Sequence, residues 1–215
     1  MPNRDPFAGI ILAGGMSRRF GGGDKSLREL AGRTLLSHVV ERVRPQVSTL
    51  LLNANGDPAR FADFDLPVTA DAVAGYVGPL AGVLTGLEWA REHAPGAAFV
   101  ASFACDAPFM PMDLVARLAE AVTDEGADIA CAASDGRDHP VFALWSVRLA
   151  DDLRRALVEE DIRKVDVWTA RYRLARVAFS AVPIDPFFNV NHPDDFATAE
   201  AILATGPDGG QGGRE

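Results

Sequence analysis

Apolar residues follow two alternating rhythms along the chain. Short, almost fully apolar runs cover Phe7 to Ala13, Val47 to Leu52, Leu66 to Ala70, Ala97 to Ala104 and Ala127 to Ala132. Such runs suit strands covered on both faces of a sheet. Between them, apolar positions recur at helical spacing. One set is Leu35, Leu36, Val39, Val40 and Val43; a second is Leu80, Val83, Leu84 and Leu87; a third is Leu114, Val115, Leu118, Ala121 and Val122. Pro45 stops the first of these helices, and Pro79 suits the first turn of the second. Strand and helix in alternation predict an α/β fold with a mostly parallel sheet.

After Ser134 the rhythm is less regular. Val141 to Trp145 and Tyr172 to Phe179 read as strands, and Leu149, Leu153 and Leu157 as a helical face. Ile162 to Ala170 reads as a short helix, and Phe196, Ala199 and Ile202 as a last one entered through Pro193. No internal repeat or linker divides the chain, so residues 1–204 are expected to form a single domain. Residues 205–215, rich in glycine, have nothing to bury and are expected to be disordered.

The polar residues at the strand ends carry the chemistry. Gly14, Asn53, Asp71 and Asp106 each follow a predicted buried strand. Ligands of open parallel sheets bind outside the carboxyl ends of the strands, so four such residues would converge on one crevice. Singly, each has a plainer reading: Asn53 as a turn former, Asp71 or Asp106 as a helix cap. Their joint placement favours a binding site.

Leu12 to Ser26 is the richest segment, with five glycines, Arg18, Arg19 and Lys25 after a strand. Glycine lets main-chain N–H groups approach a phosphate, and the cations add charge. Two common phosphate motifs fail here. A Walker A loop needs glycine before its lysine, but Asp24 precedes Lys25. A dinucleotide fingerprint beginning at Gly21 and Gly23 would need glycine where Ser26 stands.

Composition narrows the class. The 215 residues are 48% hydrophobic and 24% charged, as in an ordinary globular protein with a core. A net charge of −9 argues against a nucleic-acid partner, though a nucleotide needs only a few local donors. Cys105 and Cys131 lie in apolar runs, with no thiolate cluster for zinc and no disulfide framework. Trp89, Trp145 and Trp168 read as packing residues. No apolar stretch reaches the roughly 20 residues of a membrane span. With no secretory start, the expected location is cytoplasmic.

The chain resembles the molybdenum cofactor guanylyltransferases, and more broadly the nucleotidyltransferases sharing a three-layer, Rossmann-like fold. The resemblance runs from about Phe7 to Leu203. It rests on the Leu12-Ala13-Gly14-Gly15 loop with Arg18-Arg19 and Asp24-Lys25, on Asn53-Ala54-Asn55, Asp71 and Gly78 to Gly82. Cys105 to Phe109, His139 to Trp145 and Phe187 to Pro193 complete it. Phe20 stands where the family has methionine. Sugar nucleotidyltransferases carry related loops but usually place proline before the lysine, where Asp24 stands here.

The resemblance implies transfer of GMP from GTP to the terminal phosphate of a molybdopterin-type cofactor, with release of pyrophosphate. It implies Leu12, Ala13, Gly14, Gly15, Lys25, Asn53, Asp71 and Asp106 as nucleotide contacts, with Asp106 holding Mg²⁺. Lys25, Asp106 and Arg19 are the implied catalytic set, and Arg19, Asn189 and Asn191 the implied pterin side. Asn191 or His192 could instead be helix-entry residues, and His139 could support its strand. GTP, the pterin and transient contact with other cofactor-biosynthesis proteins are the implied partners. Two rivals remain: a cytidylyltransferase on the same pterin, whose loop has Leu-Ala-Ala-Gly, and a catalytically silent nucleotide-binding regulator.

Overall fold

The computed structural model describes residues 7–14, 24–75 and 78–205. The first apolar run forms β1 (Ala8–Leu12). A small antiparallel ribbon, β2 (Glu29–Leu30) and β3 (Arg33–Thr34), leads into α1 (Leu35–Val43). Then come β4 (Thr49–Asn53), β5 (Val68–Thr69), α2 (Pro79–His93), β6 (Phe99–Ala104), α3 (Leu114–Glu125) and β7 (Ile129–Ser134). The chain continues through β8 (Arg137–Ser146), α4 (Ala150–Val158), α5 (Val165–Thr169), β9 (Leu174–Phe179) and α6 (Pro193–Thr205). Residues 206–215, most of the expected tail, lie outside the described residues.

Seven strands share one sheet in the order β5-β4-β1-β6-β8-β7-β9. β1 pairs in parallel with β4 and β6, β4 with β5, and β7 with β9. β8 runs antiparallel between β6 and β7. The sheet is therefore mostly parallel, as expected, with one reversal. That reversal is made by the two-residue turn Asp135-Gly136, whose φ angles of 46° and 73° are those of a tight hairpin turn. β8 is also longer than its apolar run, and it bulges. Cys131 pairs with Ala143 but Ala132 with His139, which leaves Pro140, without an N–H to donate, outside the ladder.

Period-two alternation divides the core into two layers. Ile11, Leu50 and Leu52 face α1 and α3, while Ile10 and Leu51 face α2 and α4. This is the three-layer arrangement. Trp145 and Trp168 are buried and Trp89 half-buried, as packing residues should be. Among the described residues, no helix is long and apolar enough to cross a membrane.

One polar pair is sealed inside the sheet. Trp145 Nε1 donates to Ser102 Oγ at 2.8 Å, and Ser102 Oγ donates to the Val141 carbonyl at 2.6 Å. Both side chains are buried, so losing the hydroxyl strands an indole N–H without water to replace it. Ser102→Ala should therefore lower unfolding free energy by about 1–3 kcal/mol. Urea denaturation checks this; a midpoint unchanged from the parent would show that the bond contributes nothing.

Candidate functional site at the carboxyl ends of the strands

Parallel register brings the predicted residues level. Leu12 pairs with Asn53 and with Ala104, and Asn53 with Thr69. The row continues past the strands: Ala13 N donates to the Asn53 carbonyl at 2.8 Å and Ala54 N to the Thr69 carbonyl at 3.1 Å. Gly14, Asn53, Asp71 and Asp106 thus leave four neighbouring strands at one edge.

Two polar clusters form there. In the first, Asn53 Nδ2 donates to Asp71 Oδ1 at 3.0 Å and to the Thr69 carbonyl at 3.2 Å. Asn55 Nδ2 donates to Asp71 Oδ2 at 2.8 Å, and its Oδ1 accepts from Asp71 N at 3.0 Å. Each Asp71 oxygen accepts one amide and keeps room for a second donor. Asp71 is half-buried, so its carboxylate is pre-aimed yet reachable.

Gly14 lies against this cluster. A Cβ there would stand 3.4 Å from Asn55 Nδ2 and 3.6 Å from both Asn53 Oδ1 and Asp71 Oδ1. Its φ is outside the left-handed region and a Cβ there would make only ordinary van der Waals contacts, so what glycine does at this position is leave the cluster uncovered.

The second cluster is ionic. Lys25 Nζ lies 2.6 Å from Asp106 Oδ2 and 2.6 Å from Asn191 Oδ1. The Lys25 and Asp106 side chains are only 15% and 21% exposed. Val190 N donates to the Asp106 carbonyl at 2.8 Å, which docks the segment before α6 onto the end of β6. Asp195 Oδ2 accepts from Asn191 N and His192 N, both at 2.7 Å, capping α6. Asn191 thus serves both readings: its main chain enters a helix, and its side chain meets Lys25. Asn189 is exposed on the other side of Val190.

The oxygens of Asp106 and Asn191 fit a hard divalent cation that is shared with substrate phosphates. They do not make an all-protein cage: among the described residues no group of three or more His, Cys, Asp or Glu could hold a metal. Cys105 follows β6 beside this cluster, and burial pushes its thiol up to about 12. It is protonated at neutral pH and is no nucleophile. Gly15 and Arg19 lie outside the described residues.

Several residues at the site were missed. Asn55 supplies as much of the grip on Asp71 as Asn53 does. Arg60 reaches from the first cluster toward the second: its Nη2 donates to the Asn55 carbonyl, and its Nε lies 2.7 Å from Oδ2 of Asp24, the residue before Lys25. Gly82 lets α2 approach, since a Cβ there would stand 2.5 Å from Asn53 Oδ1 and 2.6 Å from Leu12 Cδ2. Thr85 Oγ1, accepting from Ala72 N at 2.8 Å, ties the loop after Asp71 to the same helix. The Asn-Ala-Asn and Gly-Pro-Leu-Ala-Gly stretches carried signals for Asn55 and Gly82; nothing local marked Arg60.

A mostly parallel sheet with an amide–carboxylate cluster beside a lysine–aspartate cluster at its strand ends fits a nucleotidyltransferase. The comparisons agree. The family model described as MobA-like NTP transferase domain matches residues 9–174. A molybdenum cofactor guanylyltransferase of Rhodopseudomonas palustris (strain BisB5) is 60% identical over 193 residues, covering 90% of this chain and 92% of its own. Another, from Bradyrhizobium sp. (strain ORS 278), is 57% identical over 196 residues, covering 91% and 92%. The crystal structure of molybdopterin-guanine dinucleotide biosynthesis protein A from Archaeoglobus fulgidus superposes with a TM-score of 0.72 at 25% identity, over 93% of this chain and all of that one. The chain belongs to the molybdenum cofactor guanylyltransferases. Nucleotidyltransferases of this family generally work with a divalent metal.

Gly82 generates a direct test. In Gly82→Ala the methyl must displace Asn53 or lift α2, an overpacking that costs typically 1–3 kcal/mol. The Michaelis constant for the nucleotide should rise about tenfold, as a contact displaced in both ground and transition states requires. Steady-state kinetics beside a melting curve checks it; unchanged kinetics would show that Asn53 is not held for the ligand.

Proposed function

We propose that this chain transfers GMP from GTP to the terminal phosphate of molybdopterin, or of its metal-loaded form, in the cytoplasm. The observation that carries this reading is the pairing of two clusters on one edge. Asn53–Asn55–Asp71 suits a base, and Lys25–Asp106–Asn191 suits a triphosphate and the group that attacks it.

An acceptor phosphate oxygen attacks the α-phosphorus. A new P–O bond forms, the bond to the β-phosphate bridging oxygen breaks, and pyrophosphate leaves with that electron pair. The acceptor is already anionic, so no base or protein nucleophile is required. Lys25, released from Asp106, neutralises triphosphate charge, and Arg19 supplies a second cation on the acceptor side. Asp106 and Asn191 would hold Mg²⁺, which supplies charge neutralisation at the phosphates. Positioning and charge stabilisation carry most of the rate in such displacements.

Asp71 is the candidate reader of the base. Its two oxygens, fixed by Asn53 and Asn55, can accept from guanine N1–H and the N2 amino group together. Cytosine offers no such pair. Leu12, Ala13, Gly14 and Gly15 would bring the main chain to the base, with Gly14 leaving the cluster uncovered.

Two outcomes test this. Asp106→Ala should reduce turnover by on the order of 10²-fold with the fold intact, and Lys25→Ala should also raise the Michaelis constant for GTP. Near-normal rates at saturating Mg²⁺ would remove Asp106 from the metal. In competition, GTP should be used at least roughly tenfold better than CTP, a difference of about 1.4 kcal/mol. Gly14→Ala should narrow that gap, since its methyl covers the Asp71 cluster without clashing. A parent enzyme that prefers CTP would overturn the guanine assignment; an unchanged preference in the variant would remove Gly14 as its cause.

A further inference from the structure

The segment Asp185 to His192 carries Asn189 and Asn191 to the site, yet it belongs to no strand or helix. Its far end is docked by Val190 on Asp106 and by Asn191 on Lys25. Its near end is held by a chain of hydrogen bonds outside the cleft. Asp185 Oδ1 accepts from Phe187 N at 3.0 Å and from Ser134 Oγ at 2.9 Å. Ser134 ends β7 and is 3% exposed. Its Oγ also lies 2.7 Å from His139 Nε2, across the hairpin.

Proton direction in this chain is fixed. The Ser134 hydroxyl hydrogen points to the carboxylate, so His139 Nε2 must carry the hydrogen that the hydroxyl oxygen accepts. Burial holds the imidazole below its ordinary pKa, which keeps it neutral in this role. The His139 ring also lies 4.6 Å from the Phe187 ring, which packs on Phe142 at 4.8 Å and Phe179 at 5.4 Å. The aromatic contacts bury the segment; the hydrogen bonds fix its register along the sheet edge. A polar chain centred on the buried Ser134 hydroxyl, with Asp185 Oδ1 taking two donors, favours one geometry of the segment.

We infer that Ser134, His139 and Asp185 are positioning residues for the transfer reaction: they hold the Asp185–Asn191 segment so that Asn191 meets Lys25 and Asp106. They touch neither substrate and act through Asn191. This inference rests on the reading of Asn191 as part of the transfer site.

The test is a double-mutant cycle read in kinetics and in thermal unfolding. Ser134→Ala and His139→Leu should lower kcat and raise the Michaelis constant for the pterin acceptor, with a combined loss of about tenfold to a hundredfold, as expected when a reacting group is misplaced. The Michaelis constant for GTP should rise less than that for the acceptor, because the Asn53–Asn55–Asp71 cluster is untouched. His139→Gln, which keeps a donor at the Nε2 position, should recover most of the loss. In an Asn191→Ala background, Ser134→Ala should cost little more. The inference is overturned if the losses in Ser134→Ala and Asn191→Ala simply add, if glutamine does not rescue a folded enzyme, or if neither Ser134→Ala nor His139→Leu changes acceptor kinetics. An Asn191→Ala variant that transfers normally would instead bring down the reading of Asn191 and this inference with it.

Discussion

Everything at this site depends on β1 lying in parallel register between β4 and β6. That pairing sets Leu12, Asn53 and Ala104 in one row, and the residues just beyond inherit the alignment. Parallel strands leave their carboxyl ends on the same side, so residues distant in sequence become neighbours without any loop having to find its way. The constraint reaches α2 as well. Gly82 and Gly86 bring that helix against Leu12, Asn53 and Ile10, closer than a residue with a Cβ permits. Glycine at these positions weakens the helix slightly by propensity, and the helix keeps it because the strand beneath requires it.

The same edge separates two kinds of polarity. On the β4–β5 side, a carboxylate is held by two neutral side-chain amides. On the β6 side, a carboxylate is held by a lysine, and each compensates the other's charge. Without phosphates, the Lys25–Asp106 pair gives the half-buried lysine a partner and spares it the cost of an unpaired charge. Arg60 links Asp24 to Asn55, so the residue before Lys25 and the Asp71 cluster share one side chain.

The buried strands and their helices were legible in the sequence because periodicity reports burial directly, and the strand-end residues because parallel topology gives position meaning. The reversal of β8 was not read, although Asp135-Gly136 is a strong hairpin signal; the apolar run after it was read as a strand without a direction. The bulge at Pro140 was invisible to periodicity. In the site, Asn53, Asp71, Lys25, Asp106 and Asn191 were named from the chain, and they meet as two clusters. Arg60, Thr85 and Ser134 were not, because each acts through a partner far away in sequence: Asp24, Ala72 and Asp185. Gly14 was named for its place at the end of a strand, and its missing side chain leaves the Asp71 cluster uncovered.

The central claim is turnover at the paired clusters, and one assay reaches it most directly. The full chain is mixed with GTP, Mg²⁺ and a pterin acceptor bearing a terminal phosphate, and both pyrophosphate and dinucleotide are measured. The account predicts one pyrophosphate released for each guanine dinucleotide formed, with neither appearing when the acceptor is left out. GTP bound without pyrophosphate release, in the presence of a competent acceptor, would contradict it.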